Sequence, residues 1–172
     1  VGLGPWRGLS GKRIMDCPLI AVAAPERARG LRFGDHRAIS QQPLLGSNDK
    51  WRRFLRGCGC RLEGRTVAEF NDAGLMLQAA EHDLGVALVR EVLAADALAE
   101  GRLVRLSDHA LDLPDDQGYW FVHLPELAAW PPLVAFRAWL DAEIAASRPP
   151  SAAGTCASGD APAASASSAV AI

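Results

Sequence analysis

A length of 172 residues is enough for one domain with a self-sufficient core. With 49% hydrophobic and 22% charged residues the composition is that of an ordinary soluble globular chain, and the longest apolar runs are too short to span a bilayer. A formal net charge of −2 argues against binding to nucleic acid by phosphate neutralisation, which calls for a basic excess.

The start, Val1-Gly2-Leu3-Gly4-Pro5-Trp6, has neither an initiator Met nor an element boundary, as in a cut chain. It also lacks the basic and apolar regions of a secretory signal, so a cytoplasmic location with reduced thiols is expected. The apolar run Leu19-Ile20-Ala21-Val22-Ala23, stopped by Pro25, predicts a buried strand. Short helical turns follow at 25–30 and 35–41, then a brief strand at Leu44-Leu45. Trp51, Phe54 and Leu55 fall at i, i+3 and i+4 of a helix ended by Gly57 and Gly59. Lys50, Arg52, Arg53 and Arg56 on the same stretch predict its solvated face.

Val67 to Phe70 is a further strand candidate. Asn71 or Asp72 can then cap a helix whose one face is Leu75, Met76, Ala79 and Ala80, stopping near Gly85. Val86 to Val89 is a buried strand. A helix with Val92, Leu93, Ala95 and Leu98 turned inward ends at Gly101, and Leu103 to Leu106 is a strand again. Residues 107–118 are expected to be a polar loop, and Tyr119 to Val122 a strand. Pro131-Pro132 opens the last helix, with Leu133, Phe136, Leu140 and Ile144 at helical spacing. From Ser147 onward Ala, Ser, Pro and Gly dominate, so 147–172 is expected to be a disordered tail. Strands alternating with helices predict an α/β fold with mostly parallel pairing.

No catalytic signal stands out: there is no phosphate loop, no nucleophile elbow and no strand–turn–helix GxGxxG. Cys58-Gly59-Cys60 lacks the two-residue gap of a zinc knuckle, and no second ligand pair answers it; neither a metal nor a cofactor is expected. His36, His82, His109 and His123 are scattered, and the adjacent Asp115 and Asp116 point apart. The helix start at Asn71-Asp72 is the best functional candidate, because free backbone N–H groups there suit a carboxylate or phosphate. Simple capping accounts for the same residues.

The segment Phe70-Asn71-Asp72-Ala73-Gly74-Leu75-Met76-Leu77-Gln78-Ala79-Ala80, continued by Gly85-Val86-Ala87-Leu88-Val89, resembles a stretch of the effector-binding domains of LysR-type transcriptional regulators. Asp83 stands where that family's G-x-G-V-A-L pattern begins with glycine. Leu98-Ala99-Glu100-Gly101-Arg102-Leu103-Val104 is similar to the family's L-x-x-G-x-L-V, and Tyr119 to Val122 with Pro132 to Leu140 to its closing strand and helix. Upstream, Gly4-Pro5-Trp6-Arg7-Gly8-Leu9 and Pro18 to Pro25 complete the series, over about residues 4–146. The series is most like the branch of the glycine-cleavage activator and the β-lactamase-inducing regulator.

The resemblance implies a type II periplasmic-binding-protein-like fold, with one near-complete lobe, 25–102, and a partial lobe I from 1–24 and 103–146. Crossing strands are expected near 18–24 and at 103–106 or 119–123. It implies a non-enzymatic role in small-molecule sensing and oligomerisation. Ala23, Ala24, Phe70, Asn71 and Asp72 are then the ligand-binding positions, and an anionic effector would suit the helix start. Expected partners are a second copy or a full-length regulator; the chain itself is expected to bind neither operator DNA nor membrane, and effectors only weakly. A solute-binding protein of the same fold, or an inert or dominant-negative regulator fragment, are the alternatives.

Overall fold

A computed structural model describes residues 2–3, 6–112 and 117–147. The strands are β1 (Gly2–Leu3), β2 (Ser10–Met15), β3 (Leu19–Ala23), β4 (Leu44–Leu45), β5 (Val86–Arg90), β6 (Val104–Leu111) and β7 (Gln117–His123). The helices are α1 (Pro25–Arg29), α2 (His36–Ser40), α3 (Asn48–Gly57), α4 (Ala73–Glu81), α5 (Glu91–Ala99) and α6 (Pro131–Ser147). They build two sheets. One has the order β1-β7-β2 and is covered by α6; the other has the order β4-β5-β3-β6.

The four-stranded sheet is the middle of a three-layer unit, because its strands present apolar side chains to both faces. On one face Leu19, Ala21 and Leu88 pack with Ile39 of α2 and with Trp51, Phe54 and Leu55 of α3. On the other, Ile20, Val22 and Val89 meet Ala80 of α4 and Ala94 and Ala97 of α5. Every buried apolar side chain among the described residues lies between Cys17 and Leu106.

Most pairing is antiparallel, contrary to expectation. Only β4 and β5 are parallel, whereas β3 runs antiparallel to both β5 and β6. The reason is the route of the chain. It enters this sheet through β3 from the other sheet and leaves through β6; β4, β5 and β6 all run opposite to β3, and of these three only β4 and β5 are neighbours. For the same reason β3 and β6, expected as crossing strands, are hydrogen-bonded members of the four-stranded sheet. The chain crosses from the three-stranded sheet into the four-stranded one at Asp16-Cys17-Pro18.

Four local expectations are corrected. Val67 to Phe70 forms no strand: two-residue β4 has room only for a bridge between Leu45 and Ala68, closed by Gly46 N–H to the Ala68 carbonyl at 2.8 Å. In α5 the buried residues are Ala94 and Ala97, with Leu98 packed beside them as expected, Ala95 exposed, and Val92 and Leu93 outside at 39% and 41% exposure. That helix begins directly after Arg90, so the strand sets its phase, and its small residues lie flat on the sheet. The expected loop 107–118 is largely strand, because β6 extends to Leu111 and β7 begins at Gln117. The polar Ser107-Asp108 lies in a wide bulge, residues 106–109 standing opposite Ala21 alone. Arg105 straps that bulge, donating to the Ser107 carbonyl at 2.9 Å, the Asp108 carbonyl at 3.2 Å and Glu91 at 2.6 Å. Finally, Phe136 is 48% exposed in α6, where Leu133, Leu140 and Ile144 are half-buried. The expected tail, past the backbone of Ser147, lies outside the described residues, as do Asp115 and Asp116.

Two backbone positions explain why α4 leads so tightly into β5. A side chain at Gly85 would fall on the Pro43 carbonyl oxygen, so only glycine fits. Asp83 is left-handed (φ 58°), a conformation that costs an L-residue about 1 kcal/mol. Arg27 holds it there, donating from Nε to Oδ1 at 2.8 Å and from Nη2 to the Asp83 carbonyl at 2.7 Å.

Candidate functional site

The edge of the four-stranded sheet nearest the other sheet is marked by Leu19, which pairs with both Arg90 and Leu111. β4 and β5 end at this edge, since they are parallel to each other and antiparallel to β3. Three helices therefore start here: α3 after Gly46-Ser47, α4 after Asn71-Asp72, and α5 directly after Arg90. Each start aims N–H groups and the positive end of its dipole toward the crossing.

The three starts are finished differently. Asp72 Oδ1 accepts from Leu75 N–H at 2.8 Å and closes α4. α5 is tied down by Glu91 N–H donating to the Pro18 carbonyl at 3.0 Å. The N-cap of α3, Ser47, is extended and makes no side-chain cap. Its neighbour Asn48 instead accepts from Thr66 N–H at 3.0 Å, and Trp51 Nε1 donates to the Leu45 carbonyl at 2.8 Å, which fixes the entry of the helix.

Across the crossing, the Arg90 guanidinium lies 5.9 Å from the ring centroid of Tyr119 on β7, a cation–π contact between the sheets. It also donates to the thiol of Cys17. Burial raises the Cys17 pKa and outweighs the lowering by Arg90. Burial likewise raises that of Tyr119, with the nearby Cys17 adding to it. Arg13 pairs with Asp16 at 2.9 Å beside them, and Trp6 meets Trp120 edge-on at 5.9 Å.

The sequence-predicted site residues do not converge. Asn71 and Asp72 are exposed at the crossing-facing edge, with Phe70 half-buried beside them against the apolar cluster of α4 and α5. Ala23 pairs with Val104 at the other end of β3, about 13 Å away by strand rise. It is fully buried in the core, and Ala24 is only 4% exposed. Sequence reasoning missed Ser47, Arg90, Cys17 and Tyr119. Ser47-Asn48 after a two-leucine strand carries a helix-start signal, and Arg90 is the first charge after an apolar run; nothing local brings Tyr119 to them. Of the histidines, His82 is the C-cap of α4, and His36 and His109 meet edge-on at 5.9 Å around Phe54. Among the described residues no three His, Cys, Asp or Glu side chains are grouped to hold a metal, and no helix is long and apolar enough to cross a membrane.

Comparison with known proteins decides the family. A family model described as the LysR substrate binding domain matches residues 1–145. The chain belongs to that LysR family.

Its curated LysR relatives include the HTH-type transcriptional activator AmpR of Citrobacter koseri, 32% identical over 141 residues that make up 81% of this chain and 47% of the relative. The glycine cleavage system transcriptional activator of Escherichia coli K12 is 28% identical over 149 residues, 84% of this chain and 48% of the relative. The chain thus spans about half the length of the curated relatives it matches. Among solved structures, the effector domain of AmpR from Pseudomonas aeruginosa superposes with a TM-score of 0.67 at 26% identity, covering 84% of this chain and 69% of that one. The AmpR effector binding domain of Citrobacter freundii gives 0.71 at 21% identity, over 85% and 72%, a likeness of fold. The fold is accordingly the α/β, type II periplasmic-binding-protein-like architecture of LysR effector domains, and the named relatives are transcriptional activators.

Proposed function

We propose that this chain is the effector-binding portion of a LysR-type transcriptional regulator, and that its effector is a small anion held between the two sheets. The observation that carries this reading is the uncapped start of α3 at Ser47, on the same edge as the Arg90 guanidinium and the exposed Asn71-Asp72. Free N–H groups, a helix dipole and a guanidinium together favour a carboxylate over a neutral ligand. The lobes divide at Asp16-Cys17-Pro18 and after β6, and Phe70, Asn71 and Asp72 line the cleft, whereas Ala23 and Ala24 serve the core. The chain acts without catalysing a reaction, in the cytoplasm, as a homo-oligomer or paired with a full-length regulator. The partner covers the side of the three-stranded sheet where Trp130, Val134 and Trp139 are exposed at 52%, 51% and 55%.

A thermal-shift titration of the chain with small carboxylates and their neutral amides tests the effector class. Binding to the folded state alone raises Tm. Carboxylates are expected to raise it weakly, the amides not at all, and Arg90→Met to remove the response. Amides as effective as carboxylates, or no carboxylate with any effect, would overturn the anionic reading.

A further inference from the structure

The cysteine pair at the C-terminal end of α3 is unused by the effector reading and lies at the opposite end of that helix from Ser47. From Cys58, Gly59 and Cys60 the structure assigns a second site: a dithiol for a soft, thiophilic centre, either trivalent arsenic or a d10 cation such as Cu(I).

The helix ends in a paired-bond cap. Cys60 N–H donates to the Leu55 carbonyl at 2.8 Å and Gly59 N–H to that of Arg56 at 3.1 Å, with Gly59 left-handed at φ 72°. Two peptide units separate the cysteine Cα atoms, so they lie within roughly 7 Å of each other. That is about the separation at which two cysteine sulfurs can reach bonding distance, and a bridging atom relaxes the requirement. The reversal at Gly59 turns both side chains onto one apolar cluster, the one built on Phe54 and Leu55, and each stays partly accessible. Cys58 donates its thiol proton to the Phe54 carbonyl at 3.4 Å, a weak bond that a stronger ligand can replace. A tetrahedral metal would need further ligands that the described residues do not supply. A two- or three-coordinate thiophile needs only the pair.

With an arsenical the chemistry balances as a condensation. Phenylarsine oxide, PhAs=O, takes both thiol protons onto its oxygen, forms two As–S bonds and releases one water, arsenic remaining trivalent. With Cu(I), both thiols give up their protons to solvent.

The test uses the full chain, reduced with a thiol-free phosphine. Phenylarsine oxide is expected to give a 1:1 adduct by mass spectrometry, to block two thiols from Ellman's reagent, and to be released by 2,3-dimercaptopropanol but not by a monothiol. Cys58→Ala or Cys60→Ala should each weaken binding by roughly 10²- to 10⁴-fold, because the second bond forms at high effective concentration. Cys156→Ala should leave it unchanged. Far-UV circular dichroism shows which of the two variants folds, and the result is read on that one. A parallel titration with chelator-buffered Cu(I) separates the sources: arsenical binding alone assigns the metalloid, and Cu(I) uptake with the same cysteine dependence assigns the cation. Wild-type affinity in a folded Cys58→Ala or Cys60→Ala, or binding of neither probe, overturns the site. The effector reading is untouched by that failure, since no cleft residue takes part.

Discussion

The two units of this molecule have similar proportions of apolar residues and use them to opposite effect. The unit around β3, β4, β5 and β6 buries Trp51, Phe54, Ile20, Leu45 and Val89 almost completely. The sheet β1-β7-β2 with α6 is as rich in aromatics, yet among its described residues no large side chain is fully buried, and Trp130, Phe136 and Trp139 stand about half exposed. A three-stranded sheet beside one helix has a single face to fill. The four-stranded sheet has helices on both faces and fills them. Apolar content alone therefore does not make a core; two opposed surfaces do.

The comparison can be broken most sharply by truncation. Trp51→Ala is expected to cost about 3–5 kcal/mol by urea denaturation, because the ring is fully buried. Trp139→Ser in the isolated chain should change the midpoint by no more than about 0.5 kcal/mol. If the two substitutions cost the same, the second unit has a core after all.

Smaller effects sharpen the contrast within the well-packed unit. Asp83→Ala keeps a left-handed backbone and loses the carboxylate contact to Arg27 Nε, while the Arg27 bond to the residue-83 carbonyl can remain, which should cost about 1–2 kcal/mol. Asp83→Gly loses the same carboxylate contact but relieves the backbone, so it should be milder by about 1 kcal/mol in the same assay. Asp72→Ala, which removes the cap on Leu75 N–H, should cost about 1 kcal/mol.

The pH response is the smallest expected effect. Burial, followed by the facing His109, lowers the pKa of His36 from its ordinary 6.5. The unfolded chain then takes up this proton before the folded one does. The associated stability is complete above pH 6.5 and is lost as pH falls from 6.5 through the lowered folded value. Urea midpoints of wild type and His36→Phe between pH 8 and pH 5 measure it, with a shallower decline expected in the variant. A steeper decline in His36→Phe would show that another group carries the acid response.

Much of the well-packed unit was legible because its signals are local. The apolar run 19–23, the Trp51-Phe54-Leu55 spacing and the Asp72 cap each appear where expected, as the same few residues that carry the pattern also make the contacts. Errors came where a tertiary tether outranked pattern. Val92 and Leu93 have the right hydrophobicity and the wrong phase, which Arg90 sets from the strand before them. Ser107 and Asp108 read as loop residues, and in the strand Arg105 bonds the carbonyls of both. Near the proposed cleft, the helix start at Asn71-Asp72 was legible from its capping chemistry. Arg90, Cys17 and Tyr119 were not, since residues far apart in sequence meet only once both sheets exist.

By itself, the amino-acid sequence determined the family, the α/β class and the positions of most helices and strands, because periodicity and capping act over a few residues. The tertiary structure decided strand direction, the phase of α5, the meeting of Arg90 with Tyr119 and the burial of Ala23. Each depends on how the chain travels between two sheets, and no window of neighbouring residues encodes that path.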